Sequence, residues 1–279
     1  MTSNTPPLRL AFLGPPGTFG EEAAIRYAPD AERLPFPSHA AVAAAVEAGQ
    51  ADEGIVAIEN SLNGSVAETL DILVHETRLQ IKAELVLPIE HYLLAKPGLT
   101  TADVRIIYSH PQPLGQCRKY LEANFPNAQL EAALSTASAV ELAVARGDGA
   151  AAIGTARAGE IYGAAVLARG IQDAGNNVTR FLILGHEGPP PTGRDRTSIA
   201  FTFARDLPGS LAGVVDIFAA AGVNLFKIES RPTREIFGEY VFLIDFAGHK
   251  DDELGRVVLG KVRALCSELK VFGSYPRWQ

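Results

Sequence analysis

The sequence predicts an α/β protein in two parts, with strand–loop–helix units building parallel sheets first and a ferredoxin-like βαββαβ unit after them. Three observations carry this prediction. Short apolar runs alternate with Ala/Val-rich helical stretches over residues 8–184, and that alternation gives parallel sheets with helices on both faces. Gly188-Pro189-Pro190-Pro191-Thr192-Gly193 then interrupts the pattern as a linker. Beyond it the elements restart in the order β-α-β-β-α-β. The expected domain limits are 8–187 and 197–276.

The bulk numbers agree with a globular chain and exclude several classes. The 279 residues suffice for about two domains with a substantial core. With 32 acidic against 25 basic residues the net charge is −7, which argues against a nucleic-acid partner, since that needs a basic footprint. A small anion would have to be held by local donors. Cys117 and Cys266 form no redox or metal motif, which fits a reducing, cytoplasmic setting. The six histidines show no metal-ligand spacing, so no metal is expected. Residues 8–13 are too short and too charged for a signal peptide, and no apolar run is long enough to span a membrane.

The elements follow in order. Residues 8–13 read as a buried strand, ending in Gly14-Pro15-Pro16-Gly17-Thr18-Phe19-Gly20-Glu21. Glycines at 14, 17 and 20 do not have the dinucleotide spacing, which removes a dinucleotide-dependent dehydrogenase from consideration. Thr18 with Glu21 predicts a capping box for a helix to about Tyr27. Residues 38–48 form a helix closed by Gly49, and 54–58 a strand ending in Glu59-Asn60-Ser61. Ser65 and Glu68 predict a second capping box, for a helix to about His75. Strands are expected over 81–88, 91–95 and 104–108, then a helix over 117–123. A helix over 137–146, a strand over 150–153, a helix over 156–162 and a strand over 165–168 complete this run. The apolar stretch 181–184 is the last strand before the linker, entered through Gly175-Asn176-Asn177-Val178-Thr179-Arg180.

Four polar loops stand at strand ends: Thr18, Glu59-Asn60, Ser109 with Gln116, and Thr179-Arg180. In a parallel sheet such ends share one edge, where open α/β folds bind ligands. The loops are neutral in the main and several open helices, whose free N–H groups attract anions without lysines. In the second part, 198–204 is an alternating strand, and Leu211, Val214, Val215 and Phe218 give 208–221 an amphipathic helical spacing. Strands over 224–231 and 240–246 flank a turn over 234–238, and a helix over 251–269 precedes a strand over 271–275.

Seven short stretches, in order, resemble a monofunctional prephenate dehydratase with a C-terminal ACT regulatory domain. They are Gly14-Pro15-Pro16-Gly17-Thr18-Phe19, Ile58-Glu59-Asn60-Ser61, Gly64-Ser65-Val66, Ser109-His110-Pro111-Gln112 with Gln116-Cys117, Asn177-Val178-Thr179-Arg180-Phe181, Pro208-Gly209-Ser210-Leu211, and Ile228-Glu229-Ser230-Arg231-Pro232. Ala57 and Gly20 depart from the family pattern, which has Pro and a hydroxyl residue there. The resemblance implies two α/β subdomains enclosing a cleft, like a periplasmic binding protein, followed by the ACT domain. It implies a lyase: prephenate loses its ring hydroxyl and a carboxylate together, giving phenylpyruvate, water and carbon dioxide in phenylalanine biosynthesis. No mutase-type helices precede residue 8, so the monofunctional form is the one expected.

The roles implied by the resemblance are these. Aromatisation drives the reaction, so no cofactor is called for. The family's catalytic threonine corresponds to Thr179, read as a hydrogen-bond donor to the departing hydroxyl. Asn60, Ser109 and Gln116 supply neutral donors. Glu59 is either a proton donor, which requires burial, or the salt-bridge partner of Arg180. Arg180, Thr18 and Asn177 are expected to hold substrate, with Arg180 forking a carboxylate. His110 is read as a turn residue. In the ACT part, Gly209, Ser210, Leu211, Asn224, Glu229, Ser230, Arg231 and Pro232 are the expected phenylalanine site, in a homodimer or homotetramer joined through the ACT and catalytic domains. Inhibition by the end product is the expected sign. Arogenate dehydratase and a non-catalytic amino-acid sensor are the alternatives.

Overall fold

The computed structural model describes residues 6–205, 207–233 and 239–278. The turn expected over 234–238 lies outside the described residues. Two compact units divide the chain: residues 1–69 with 85–181, and residues 70–84 with 182–279.

The first unit has two lobes. Its first lobe runs β1 (Arg9–Leu13), α1 (Phe19–Tyr27), β2 (Glu32–Phe36), α2 (His39–Glu47), β3 (Glu53–Asn60), β4 (Gly64–Ser65) and α3 (Ala67–Asp71). A π-helical turn, Ile72–Glu76, continues α3 and leads to β5 (Gln80–Pro88). The second lobe runs β6 (Tyr92–Ala95), β7 (Ile106–Ser109), α4 (Pro111–Gln116), α5 (Arg118–Asn124), β8 (Gln129–Ala132), α6 (Thr136–Arg146), β9 (Ala150–Gly154), α7 (Ala156–Tyr162) and β10 (Ala165–Arg169). The chain then returns to the first sheet as β11 (Val178–Gly185). The sheet orders are β2-β1-β3-β11-β5, with β4 on β3, and β10-β6-β9-β7-β8.

β1 runs parallel to β2 and β3, and β7 parallel to β8 and β9, as the alternation requires. The second sheet is nevertheless mixed, because β6 is antiparallel to both β9 and β10. β6 enters the lobe directly from β5, with no crossover helix to impose the common direction. Apolar side chains fill both faces of this sheet, Leu93, Ile107 and Ile153 on one and Leu94, Ile106 and Val140 on the other.

Local signals place several helix starts. Ser38 Oγ accepts from Ala41 N at 3.0 Å, Ser135 forms a capping box with Ser138, and Thr155 Oγ1 accepts from Ala158 N at 3.0 Å. The helix expected after Ser65 begins at Ala67. Val66 N still bonds Ile58 O at 2.9 Å, so the ladder holds the chain extended until α3 begins at Ala67. β2, β4 and β8 escaped the sequence reading because they lack a buried apolar run; β8 is mostly exposed.

The second unit contains β12 (Asp195–Thr202), α8 (Ser210–Ala220), β13 (Leu225–Pro232), β14 (Tyr240–Ala247), α9 (Glu253–Leu265) and β15 (Glu268–Pro276). The order β13-β14-β12-β15 is antiparallel throughout, as the ferredoxin-like pattern predicts. Val214 and Phe218 of α8 and Val258 and Val262 of α9 pack on Ile199, Phe201 and Phe246. α9 stops at Leu265, four residues short of the expected end, because pairing with β12 takes the chain from Ser267 onward. Residues 70–84 join this unit through buried charges. Arg231 donates to Asp71 Oδ1 at 2.9 and 3.2 Å, Arg196 lies 3.3 Å from Glu84, and Lys270 Nζ donates to Val74 O and Thr77 O.

Buried histidines set a pH response. Burial pushes both His39 and His91 below their ordinary range. The unfolded chain protonates them near the usual value of about 6.5, the folded chain only at lower pH. Their neutral form therefore favours folding above that value, and the advantage is lost as pH falls through the folded-state values. Thermal melts should show a lower Tm at pH 5 than at pH 7, with a shallower decline in His39→Gln. An unchanged slope in that variant would remove His39 from the account.

Candidate active site

The site is built where β3 ends and β11 begins. β3 terminates in a turn whose anchor is Asn60. Asn60 Oδ1 accepts from the backbone N–H groups of Leu62 and Asn63, both at 3.0 Å. A backbone N–H only donates, so the carboxamide orientation is fixed and Nδ2 must donate. It does so to Asn177 Oδ1 at 2.8 Å, Val178 O at 3.2 Å and Thr179 Oγ1 at 3.0 Å. Asn177 Nδ2 in turn donates to Gln116 Oε1 at 3.1 Å, and Gln116 Nε2 donates to Asn63 Oδ1 at 2.7 Å. Gln112 Nε2 reaches the same Asn63 oxygen at 3.1 Å. The circuit thus joins the first lobe to α4 of the second.

The two strand connections between the lobes run beside it. Ile89 N donates to Asn177 O at 2.9 Å, Ile171 N to His91 O at 3.1 Å, and Asp173 N to Gln116 O at 2.8 Å. His91 Nε2 lies 2.8 Å from Gln116 Oε1, and its ring meets Phe19 edge-on at 5.5 Å. His91 is 1% exposed, and its Nδ1 has no hydrogen-bond partner among the described residues.

Thr18 does not form the expected capping box. Its hydroxyl donates to Leu13 O at 3.0 Å, the nearest acceptor at the end of β1, and Glu21 accepts instead from Gly17 N at 2.6 Å. The start of α1 therefore keeps backbone N–H groups without a side-chain cap. The loop is held tightly: Gly17 has φ 90°, its carbonyl accepts from Thr155 Oγ1 at 2.8 Å, and a Cβ there would come within 3.1 Å of Ala158 Cα. A Cβ on Gly20 would lie 2.8 Å from Leu13 O, so the close turn suits the glycine found there.

Asn60, Gln116, Asn177 and Thr179 come together in this circuit, but three details differ from the sequence reading. Thr179 and Arg180 lie inside β11, not in a loop before it, because Ser61 N bonds Val178 O at 2.9 Å and extends the ladder. Gln116 sits at the end of a helix opened by Pro111 at its first turn, with His110 accepting from Gln112 N. Ser109 is fully buried and its hydroxyl donates to Ile153 O at 2.8 Å, away from the circuit. Glu59 and Arg180 form a salt bridge at 3.1 Å. The Glu59 side chain is 41% exposed, which removes the burial that a proton-donor role needs. Asn63, Gln112 and His91 were missed as site residues; Asn63 and Gln112 lie in polar turns already marked, whereas His91 reads as the first residue of a strand.

The prephenate dehydratase family model matches residues 10–189, and the ACT domain model matches 197–256. The chain belongs to the prephenate dehydratase family. It is a lyase of that family with a C-terminal ACT domain, as the motifs led one to expect. A prephenate dehydratase of Mycobacterium bovis strain BCG is 41% identical over 281 residues, covering 96% of this chain and 87% of the relative. A crystal structure of prephenate dehydratase from Arthrobacter aurescens in complex with L-Phe superposes with TM-score 0.88 at 36% identity, covering 96% of this chain and 89% of that one. A structure described as a quorum-quenching acylase, GqqA, also gives TM-score 0.88, at 31% identity, covering 96% and 98%. Among the described residues, no helix is long and apolar enough to cross a membrane, and no group of three or more His, Cys, Asp or Glu is placed to hold a metal ion.

Asn177 is 3% exposed and bridges Asn60 to Gln116. Asn177→Ala removes two hydrogen bonds whose partners keep others, at Val178 O, Thr179 Oγ1 and His91, and should cost about 0.5–1.5 kcal/mol of stability per bond lost. The measurement is the urea midpoint; an unchanged midpoint would mean that water replaces the carboxamide without loss.

Proposed function

We propose that this chain dehydrates and decarboxylates prephenate to phenylpyruvate with Thr179 as the group that meets the departing hydroxyl. The observation that carries the reading is the Asn60 Nδ2–Thr179 Oγ1 hydrogen bond of 3.0 Å. Because Thr179 Oγ1 accepts from an amide whose direction is fixed by the backbone, the threonine proton points elsewhere. It is available to the oxygen that leaves. Accepting one hydrogen bond also polarises the hydroxyl and strengthens the bond it donates. As negative charge grows on the leaving oxygen, that donated bond tightens, which lowers the barrier selectively. Full proton transfer from threonine is not required.

The remaining Gln116 N–H and the uncapped first turn of α1 supply neutral donors for the substrate's carboxylates. Arg180 contributes its charge while Glu59 holds the guanidinium in place. Ser109 acts indirectly, by tying β7 to β9. This arrangement suits a di-anion in an acidic chain, because the attraction is local and directional.

Acyl transfer, the chemistry named for one structural relative, needs a nucleophile with a base in hydrogen-bond reach. Among the described residues the Thr179 hydroxyl contacts only the Asn60 amide, which cannot take a proton. That favours dehydration.

For the second unit, phenylalanine is the proposed effector. Gly209, at φ 91°, opens α8 with no side-chain cap, so its N–H groups can take the amino acid's carboxylate. Ser210 and Leu211 form this start, Asn224 lies beyond the other end of α8, just before β13, and Glu229, Ser230, Arg231 and Pro232 end β13. Glu229 already pairs with Lys227 at 3.1 Å and Arg231 with Asp71 at 2.9 Å, so those charges frame the strand end. β13 is an edge strand with Ile228 half exposed, which supports pairing with a second copy. Domain limits of 8–187 and 197–276 and a cytoplasmic location accompany this reading.

The first test is phenylpyruvate formation from prephenate, with arogenate in parallel, each with and without phenylalanine. Prephenate turnover lowered by phenylalanine is expected; no turnover of either substrate would overturn the reading. Thr179→Ala should lower kcat by about 10²–10³-fold with KM little changed. An unchanged kcat would remove Thr179 from its role. Asp71→Asn should alter the response to phenylalanine while leaving uninhibited turnover near wild type, read from inhibition curves.

A further inference from the structure

We infer that His91 is a positioning residue for the dehydration, fixing the Gln116 carboxamide so that its amide N–H groups, and not its carbonyl, face the substrate. The inference rests on the proposed role of Gln116 as a substrate donor. His91 lies outside the motifs that carry the family resemblance and touches no group that reacts. Its effect is argued from hydrogen-bond direction.

The direction is set from two ends. From Asn60, anchored by two backbone N–H groups, polarity passes to Asn177 and requires Gln116 to present its oxygen to Asn177 Nδ2. The same oxygen lies 2.8 Å from His91 Nε2. An oxygen that accepts from Asn177 can only accept from the imidazole too, so Nε2 carries the proton. The surroundings of the ring agree. Nδ1 is buried with no partner among the described residues, and an orphaned N–H there would be costly, whereas a bare lone pair is tolerated better. With two donors on Oε1, rotation of the carboxamide by half a turn would face N–H groups against N–H groups. Gln116 Nε2 is thereby committed to Asn63 Oδ1 at 2.7 Å, with its second proton left for the substrate. The edge contact with Phe19 and the bonds of the His91 backbone to Gln172 Oε1 and Ile171 N hold the imidazole in register.

The experiment is a double-mutant cycle on the full chain, reading kcat and KM for prephenate in wild type, His91→Phe, Gln116→Ala and the double variant. His91→Phe keeps ring volume and loses the donor. It should lower kcat about tenfold, with KM changing less, and have no further effect in the Gln116→Ala background. His91→Gln, which restores an N–H donor, should recover part of the loss. Equal loss with and without Gln116 would mean that His91 acts through packing and would overturn the inference. A normal kcat in His91→Phe, with Gln116→Ala impaired, would overturn it while leaving the proposed site intact. A normal kcat in Gln116→Ala would overturn both. If His91→Phe does not fold, ¹⁵N-histidine NMR of the wild-type chain decides: protonation at Nε2 is expected, and protonation at Nδ1 would overturn the inference.

Discussion

Asn60 is the residue on which the geometry of the site depends. Its carbonyl oxygen is occupied by two backbone N–H groups of its own turn, and a backbone N–H cannot reverse its role. Every amide linked to Asn60 therefore inherits a direction: Asn177 receives and passes on, Gln116 receives and passes on, Thr179 receives. A network of carboxamides is otherwise ambiguous, because each can rotate by half a turn. Here one local turn removes that freedom from three carboxamides at once, and the reacting hydroxyl is left with its proton outward. A connected polar network of this kind also stiffens the place where two lobes meet.

The same economy explains how a chain of net charge −7 can recruit a di-anion. No concentrated basic patch is needed. Amide N–H groups, a helix start without a side-chain cap and one arginine held by Glu59 provide attraction that is short-ranged and directional. Short range matters, because the surrounding acidic surface repels the substrate only weakly across a Debye length of about 8 Å at physiological salt. Direction matters more for the chemistry, since donors aimed at the leaving oxygen act on the transition state beyond the ground state.

The C-terminal unit uses charge differently. Its helical face is closed by an apolar core around Phe201 and Phe218. Its other contacts, to residues 70–84, rely on Arg231 with Asp71, Arg196 with Glu84, and Lys270 on two carbonyls. Buried ionic contacts contribute little net stability, because desolvation offsets attraction, yet removing one partner is costly. Such contacts specify one arrangement more than they strengthen it. Arg231 belongs to the strand end read as part of the effector site, so a residue with a ligand-facing expectation also has a structural task.

The strand and helix alternation, the ferredoxin-like order of the last six elements and the family itself were legible in the chain alone. Each is encoded locally, in apolar periodicity, in turn residues or in short motifs. Asn60, Gln116, Asn177 and Thr179, which the fold joins by hydrogen bonds, could be named for the same reason. Edge strands such as β2 and β8 could not be read, because they bury too little apolar surface to show a pattern. The capping box at Thr18 had the right letters, yet the Leu13 carbonyl takes its hydroxyl in the fold. The commitment of Ser109 to Ile153, the pairing of Glu59 with Arg180 and the relay from Asn60 were decided by tertiary structure alone. Asn60 and Asn177 stand 117 positions apart, and no local rule tells a carboxamide which way to turn. That choice is made when distant donors and acceptors are brought within 3 Å or so and each buried polar group must find a partner.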